Sequence, residues 1–276
     1  MTEDKLWELE AVCDVIRDGD QVAIPTGFNA EFSAVAMDVT RALIRRRAKG
    51  LRLLCVPTSG LQADMLIGAG CVSSIEMGAV LLYEYGAAPR FGQAQREGSI
   101  EILEATCPAI AAGLRAGEAG LPFMPVPGIL GSDVYRVREP NWKQIRNPFN
   151  ALEQSAVVPA LRPDVAVFHS PLADRYGNVW IGRRGSLRLM AHASRRCVVT
   201  CDELYEGDLL DHSLYAPGSV SGEYITAVCH RPGGSWPLHA GAAAPEDRAH
   251  MHSYAELAAT PEGFASYLRQ HVLQAQ

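Results

Sequence analysis

Three short stretches combine glycine with hydroxyl or amide side chains: Thr26-Gly27-Phe28-Asn29, Thr58-Ser59-Gly60, and Gly128-Ile129-Leu130-Gly131-Ser132. Glycine lets a ligand approach the backbone closely, and the N–H groups that open a following helix are donors carrying partial positive charge. That combination suits hydrogen bonding to a carbonyl oxygen, a carboxylate or a developing oxyanion. The same residue types cap helices and form turns, so each hydroxyl has a structural reading of equal standing. Other chemistries lack their residues. No Gly-x-Ser-x-Gly elbow is present for a serine hydrolase. His250-Met251-His252, with His239 upstream, does not put both rings of the pair on one helical face, and no cysteine or carboxylate completes a zinc spacing, so no metal site is expected. His169 falls at the end of an expected strand, and its first reading is a hydrogen-bonded structural histidine.

Each of the three stretches follows an expected strand: Gln21 to Pro25, Leu51 to Val56, and Pro122 to Val126. Val72 to Met77 and Gly98 to Leu103 read as further strands. Helices are expected over residues 4–18, where Leu6, Leu9, Val12, Val15 and Ile16 have helical spacing, from about Glu31 to Lys49, through Ile67, and from about Thr106 to Ala116. The alternation argues for an α/β fold, an open, mainly parallel sheet covered by helices on both faces. Ligands of such sheets sit beyond the carboxyl ends of the strands, so the three loops are expected to cluster there. Tyr135 to Ala156 is polar, with Pro140, Trp142, Pro148 and Phe149, and reads as an excursion whose aromatics pack on the body or on a partner. Arg231 to Pro245 reads as irregular, and Pro261 to Leu273 as a terminal helix with proline in its first turn. The expected division is one large domain over residues 1–240 and a C-terminal tail over 241–276.

With 276 residues, 48% of them hydrophobic, the chain can bury a sizeable core. A net charge of −6 supplies no footprint for nucleic acid or an anionic membrane. The one basic cluster, Arg45-Arg46-Arg47 with Lys49, complements a helix carboxyl end. No apolar run approaches the ~20 residues of a membrane span, and Met1 to Lys5 does not resemble a secretory leader, so a cytoplasmic location is expected. Seven cysteines without a Cys-x-x-Cys pair read as reduced, buried thiols.

A longer arrangement is more specific than these parts. Arg162-Pro163-Asp164 leads into the apolar run Val165 to Phe168; Asp174-Arg175-Tyr176-Gly177-Asn178 forms a turn; Val179-Trp180-Ile181, a helix from Leu189 to Ser194, and the strand Cys197 to Cys201 with Asp202-Glu203-Leu204 follow. This order resembles the late core of the A subunit of family I coenzyme A transferases of the glutaconate and 3-oxoacid type. Asp18 to Phe28 is similar to the strand and Gly-Gly-Phe loop of those subunits, with Thr26 in place of the first glycine and Glu31-Phe32-Ser33 where Gly-x-Pro is usual. Gly68 to Glu76, and Arg96 to Glu101 with Leu121 to Pro125, agree in order and spacing.

The resemblance implies an enzyme that moves coenzyme A from an acyl thioester to a carboxylic acid. A glutamate nucleophile forms an acyl anhydride and then an enzyme thioester. In the family that glutamate lies in the second subunit, near a Glu-Asn-Gly motif, and Glu97-Gly98, Glu206-Gly207 and Glu262-Gly263 here lack the asparagine. The chain is therefore expected to act as the A subunit of a hetero-oligomer that also contains the B subunit, to be inactive alone, and to need no cofactor beyond coenzyme A as substrate. Thr26, Gly27, Phe28, Asn29, Thr58, Ser59, Gly60, Gly128, Gly131 and Ser132 are the substrate-binding candidates. Some relatives are hydrolases that open cyclic β-keto-acyl-CoA rings in steroid breakdown, with an acidic residue of this subunit where Glu104 or Cys107 falls. A non-catalytic binding or scaffold subunit is the alternative suggested by the altered Gly-Gly-Phe loop. An effector-binding module of a bacterial regulator is disfavoured by the short stretch ahead of the first strand.

Overall fold

A computed structural model describes residues 4–27, 32–239 and 245–274. Its central sheet sets strands in the order Glu101–Glu104, Val72–Met77, Leu51–Val56, Gln21–Pro25, Val165–Asp174, Cys197–Tyr205 and Ala227–His230, all parallel. Two short strands, Val179–Trp180 and Ser219–Val220, add an antiparallel extension to the far half of Val165–Asp174. The open, helix-covered parallel sheet expected from the alternation is the fold observed.

Successive strand residues point to opposite faces. Val22, Ile24, Leu51, Leu53, Val165 and Val167 enter one core, and Ala23, Leu54, Val56, Ala166 and Phe168 the other. Both faces are apolar because both are covered. Helices Met37–Arg45 and Leu61–Gly68 lie over the first, together with the C-terminal helices Arg248–Leu257 and Pro261–Leu268, which contribute Tyr254, Phe264 and Tyr267. Helices Cys107–Glu118 and Gly185–Ala193 cover the second through Ile110, Leu114, Leu187 and Met190.

Several elements differ from expectation. The helix expected from Glu31 begins only at Met37. Phe32 to Ala36 are buried and non-helical, with the Ser33 N–H donating to His239 O and the Ala34 carbonyl accepting from the His169 N–H at 2.7 Å. Neighbouring chain rather than the next turn satisfies this backbone. Phe123–Val126 does not join the parallel sheet. It pairs antiparallel with Asn150–Pro159, which also pairs with Lys143–Asn147, forming a separate three-stranded sheet. Within that excursion Trp142 is buried beneath the Arg138 guanidinium, 4.9 Å from its ring, whereas Phe149 stands 97% exposed at the hairpin end. Helices Pro89–Glu97 and Arg248–Leu257 were not apparent as periodic patterns, and the first helix is confined to Leu9–Asp14.

Two buried carboxylates tie distant segments together. Asp174, fully buried, accepts from the N–H groups of Tyr176 and Asn178 at 2.9 Å, from Leu209 N–H at 2.8 Å and from Asn178 Nδ2 at 2.8 Å. Asn178 extends the network by donating to Asp208 Oδ1 at 2.9 Å and accepting from Gly222 N–H at 2.8 Å. Gly177 sits at φ +88°, where a Cβ would also lie 2.7 Å from the Lys5 side chain. Asp64, also fully buried, accepts from Tyr254 Oη at 2.6 Å and from Phe91 N–H at 2.8 Å, joining three helices. Burial pushes its carboxyl up to about 6, against the lowering effect of those two donors.

Asp174→Ala strands several buried donors and is expected to cost about 3 kcal/mol or more in urea unfolding; a loss below about 1 kcal/mol would contradict this role. The folded state holds the Asp64 proton up to about pH 6, whereas the unfolded chain releases it near 3.8. The contribution of Asp64 to stability is therefore greatest below pH 3.8 and declines as pH rises to about 6. Its full span is at most about 3 kcal/mol. Asp64→Asn is expected to flatten the dependence of Tm on pH between 4 and 6 by that component, and an unchanged slope would contradict it.

Candidate active site

Pro25 and Val56 are partners in the central parallel ladder, so the chain leaves both strands at the same edge of the sheet. Thr26 and Thr58 thereby become neighbours: Thr58 Oγ1 donates to Thr26 Oγ1 at 3.1 Å. A third hydroxyl joins them, with Tyr83 Oη 2.9 Å from Thr26 Oγ1 and 3.4 Å from Thr58 Oγ1. Tyr83 reaches this position because Thr58–Ser59 pairs in parallel with Ala79–Val80, just ahead of the 3₁₀ turn Tyr83–Tyr85. Tyr83 adopts φ +55°, a conformation a bulky residue takes only under constraint.

Tyr83, the one member of the cluster to do so, lines a cavity of about 330 Å³. Gly27, Gly60, Leu61, Leu81 and Tyr83 line its inner side. Leu238, Glu246, Arg248 and Met251 form the outer wall, so the C-terminal part of the chain closes the site. Tyr85 Oη donates to Glu246 Oε2 at 2.9 Å, and its ring stands edge-on to His252 at 4.9 Å. Burial and the adjoining Glu246 carboxylate push the Tyr85 phenol above its ordinary range. A chamber lined by Leu61, Leu81, Leu238 and Met251 together with Tyr83, Glu246 and Arg248 can hold an acyl chain and hydrogen-bond an oxygen at its end.

The two glycines play different parts. A Cβ on Gly60 would lie 2.7 Å from the Leu81 carbonyl oxygen, so glycine is needed for the two loops to approach. At Gly27 a Cβ would meet only ordinary contacts among the described residues, 3.8 Å to Val35 and 3.9 Å to Leu238. Gly27 therefore leaves space in the cavity rather than relieving a clash.

Phe28 and Asn29 lie outside the described residues. Ser59 is fully buried beside Cys55 and does not line the cavity. The third loop does not join the other two, because the strand before it belongs to the separate antiparallel sheet. Gly128 and Gly131 take φ +77° and +81° as turn residues, and Ser132 caps helix Asp133–Arg138 by accepting from Tyr135 N–H at 3.1 Å. Glu104 ends its strand exposed, its carbonyl accepting from Arg138 Nη1 at 3.2 Å; Cys107, also exposed, opens the next helix beside Gly78. Neither lines the cavity.

His169 Nδ1 is 2.8 Å from Thr200 Oγ1, and Nε2 is 3.1 Å from Asp202 Oδ2 but not aligned for a hydrogen bond. It is buried within strand Val165–Asp174, opposite Thr200 in the parallel ladder. His250 turns to Tyr267 Oη at 2.9 Å, away from His252, and burial with the nearby His271 pushes it down to about 4. Sequence reasoning missed Tyr83, Tyr85, Glu246 and Arg248. The only local signal was the aromatic pair in Tyr83-Glu84-Tyr85 after a short apolar run.

A family model described as Coenzyme A transferase matches residues 9–225. The chain is 34% identical to the A subunit of the 3-oxoadipate CoA-transferase of Pseudomonas knackmussii, over 95% of this chain and 91% of that protein. It is 26% identical to the cholesterol ring-cleaving hydrolase IpdA subunit of Rhodococcus jostii, over 98% and 92%. Among solved structures, glutaconate coenzyme A-transferase of Acidaminococcus fermentans superposes with a TM-score of 0.87 at 22% identity, over 99% of this chain and 90% of that one.

The glycine geometry yields a paired expectation. Gly60→Ala should destabilise the chain by about 1–3 kcal/mol through overpacking. Gly27→Ala should change stability by less than about 1 kcal/mol. Thermal unfolding of both variants checks the contrast, and equal effects would refute it.

Proposed function

The chain belongs to the coenzyme A transferase family, and on that premise we propose that it is the A subunit of an acyl-CoA:carboxylate CoA-transferase built from two kinds of subunit. The observation that carries this reading is the cavity at the carboxyl edge of the sheet, lined by Tyr83, whose hydroxyl is clustered with those of Thr26 and Thr58. Tyr83, its hydroxyl held by Thr26 and Thr58, supplies a hydrogen bond for the carbonyl or carboxylate oxygen of the acyl group, and Gly27 and Gly60 keep the space beside it open. The partner, the B subunit, supplies the glutamate. Its carboxylate attacks the thioester carbonyl and expels the coenzyme A thiolate, leaving a mixed anhydride. The thiolate then attacks the glutamyl carbonyl of that anhydride, releasing the first acid and forming the enzyme thioester. The acceptor acid reverses the sequence to give the new acyl-CoA.

Coenzyme A enters as substrate, and this reading assigns the chain no metal or organic cofactor. Among the described residues no helix is long and apolar enough to cross a membrane, and a cytoplasmic site of action is part of the proposal. Ring-opening hydrolysis is the less supported reading. The resemblance would draw its acid from this chain, and Glu104 lies outside the cavity lining.

The test is co-purification with the B subunit, followed by an assay of coenzyme A transfer with and without acceptor acid. Acid-dependent transfer by the complex, absent from either chain alone, is expected. Release of free coenzyme A without acceptor would overturn transfer in favour of hydrolysis, and a complex without turnover would make the chain a binding subunit. Within the active complex, Tyr83→Phe should lower kcat/KM roughly ten- to hundredfold while changing stability by only about 1 kcal/mol.

A further inference from the structure

Helix Leu61–Gly68 has the candidate active site at its amino end, where Leu61 lines the cavity, and a second recess at its carboxyl end. At 1.5 Å per residue the two lie roughly 10 Å apart along the helix. The recess has a volume of about 220 Å³ and is lined by Gly68, Gly70, Arg90, Gln93, Glu97 and Ser99, among others. That is below the roughly 300–1,000 Å³ of sites for drug-sized molecules and suits a small ion.

Arg90 is only 5% exposed, yet no carboxylate oxygen among the described residues lies within the 4.0 Å of an ion pair. Its one side-chain hydrogen bond among the described residues runs from Nη1 to the neutral Gln93 Oε1. Among the described residues the buried Nε has no partner, and neither has Nη2. Asp64, the buried acid whose carboxyl feels the Arg90 charge, makes no ion-pair contact with it and accepts from Phe91 N–H and Tyr254 Oη. The guanidinium donates to none of the carbonyls that end helix Leu61–Gly68, so it is not serving as a cap. Its position is imposed by packing. The stem passes so close to Gly68 that a Cβ there would lie 2.6 Å from Arg90 Cγ, and the guanidinium sits 5.7 Å from the centre of the Phe264 ring.

A buried guanidinium without a carboxylate in ion-pair contact is costly to the fold unless something supplies the missing acceptors. We propose that this recess binds a phosphate-class oxyanion, held by the Arg90 guanidinium with the Ser99 hydroxyl at the rim. A tetrahedral oxyanion offers paired acceptors to the planar fork of arginine. Glu97, which accepts from Gln93 Nε2 at 2.6 Å, is the opposing charge on the same rim and limits affinity. The proposal is independent of the acyl-transfer reading.

The test is calorimetric titration of the full chain with inorganic phosphate, ionic strength being held constant with chloride. Saturable binding at one site is expected. Gln93→Glu places a carboxylate where Arg90 already donates, and should weaken binding by at least about tenfold without lowering Tm. Glu97→Gln should tighten binding several-fold by removing the opposing charge. No saturable uptake by the unaltered chain, or phosphate binding by Gln93→Glu equal to that of the unaltered chain, would overturn the site. Acetate binding more tightly than phosphate would overturn the ligand class.

Discussion

The in-register parallel ladder between Gln21–Pro25 and Leu51–Val56 is the constraint on which the site depends. Because Pro25 lies opposite Val56, both chains leave the sheet at one level, and two loops separated by some thirty residues of sequence come within hydrogen-bonding distance. The start of the ladder is tied as well. Asp164 Oδ2 accepts from Gln21 N–H at 2.9 Å and from Arg52 Nη2 at 3.1 Å, holding three strands at their amino ends. Much of that tie is backbone geometry, so a slip of one residue would exchange the two core faces along with the loops.

The C-terminal helices contribute to function through packing. They bury Tyr254, Phe264 and Tyr267 in the core beneath the sheet, and the first of them supplies Arg248 and Met251, with Glu246 just ahead of it, to the cavity wall. The Asp64–Tyr254 contact therefore stabilises a boundary of the cavity as well as a helix junction. Moving the tail would open the cavity on the side facing Tyr83 and Tyr85.

Buried polar groups in this chain are mostly satisfied, and the satisfied ones share a pattern. Asp174 gathers the N–H groups of a turn, and Glu76 pairs with Arg138 at 2.7 Å where the antiparallel excursion meets the main sheet. In each case a charge buried at a junction draws its partners from separate segments, so the network forms only when those segments are assembled. Arg90 departs from this pattern: packing places it at a junction of helices where, among the described residues, no carboxylate meets it in an ion pair.

What sequence determined by itself was the alternation. Apolar runs such as Val165 to Phe168 and Leu51 to Val56 read as strands buried on both faces. The turn residues Asp174, Gly177 and Asn178 marked where the chain reverses, and the glycine and threonine loops after the first two strands marked the site edge. These are local signals, carried by the period of the side chains and the conformational freedom of single residues. Tertiary structure decided everything that rests on which strand pairs with which. Phe123–Val126 resembled the other strands locally, but its partner Asn150–Pro159 lies in a different sheet, which removes Gly128, Gly131 and Ser132 from the site. Phe32 to Ala36 stay out of the helix because His239 O and His169 N–H meet their backbone. Tyr83 enters the site because Ala79–Val80 pairs with Thr58–Ser59. Each of these outcomes depends on contacts between residues far apart in the chain, for which a local pattern carries no information.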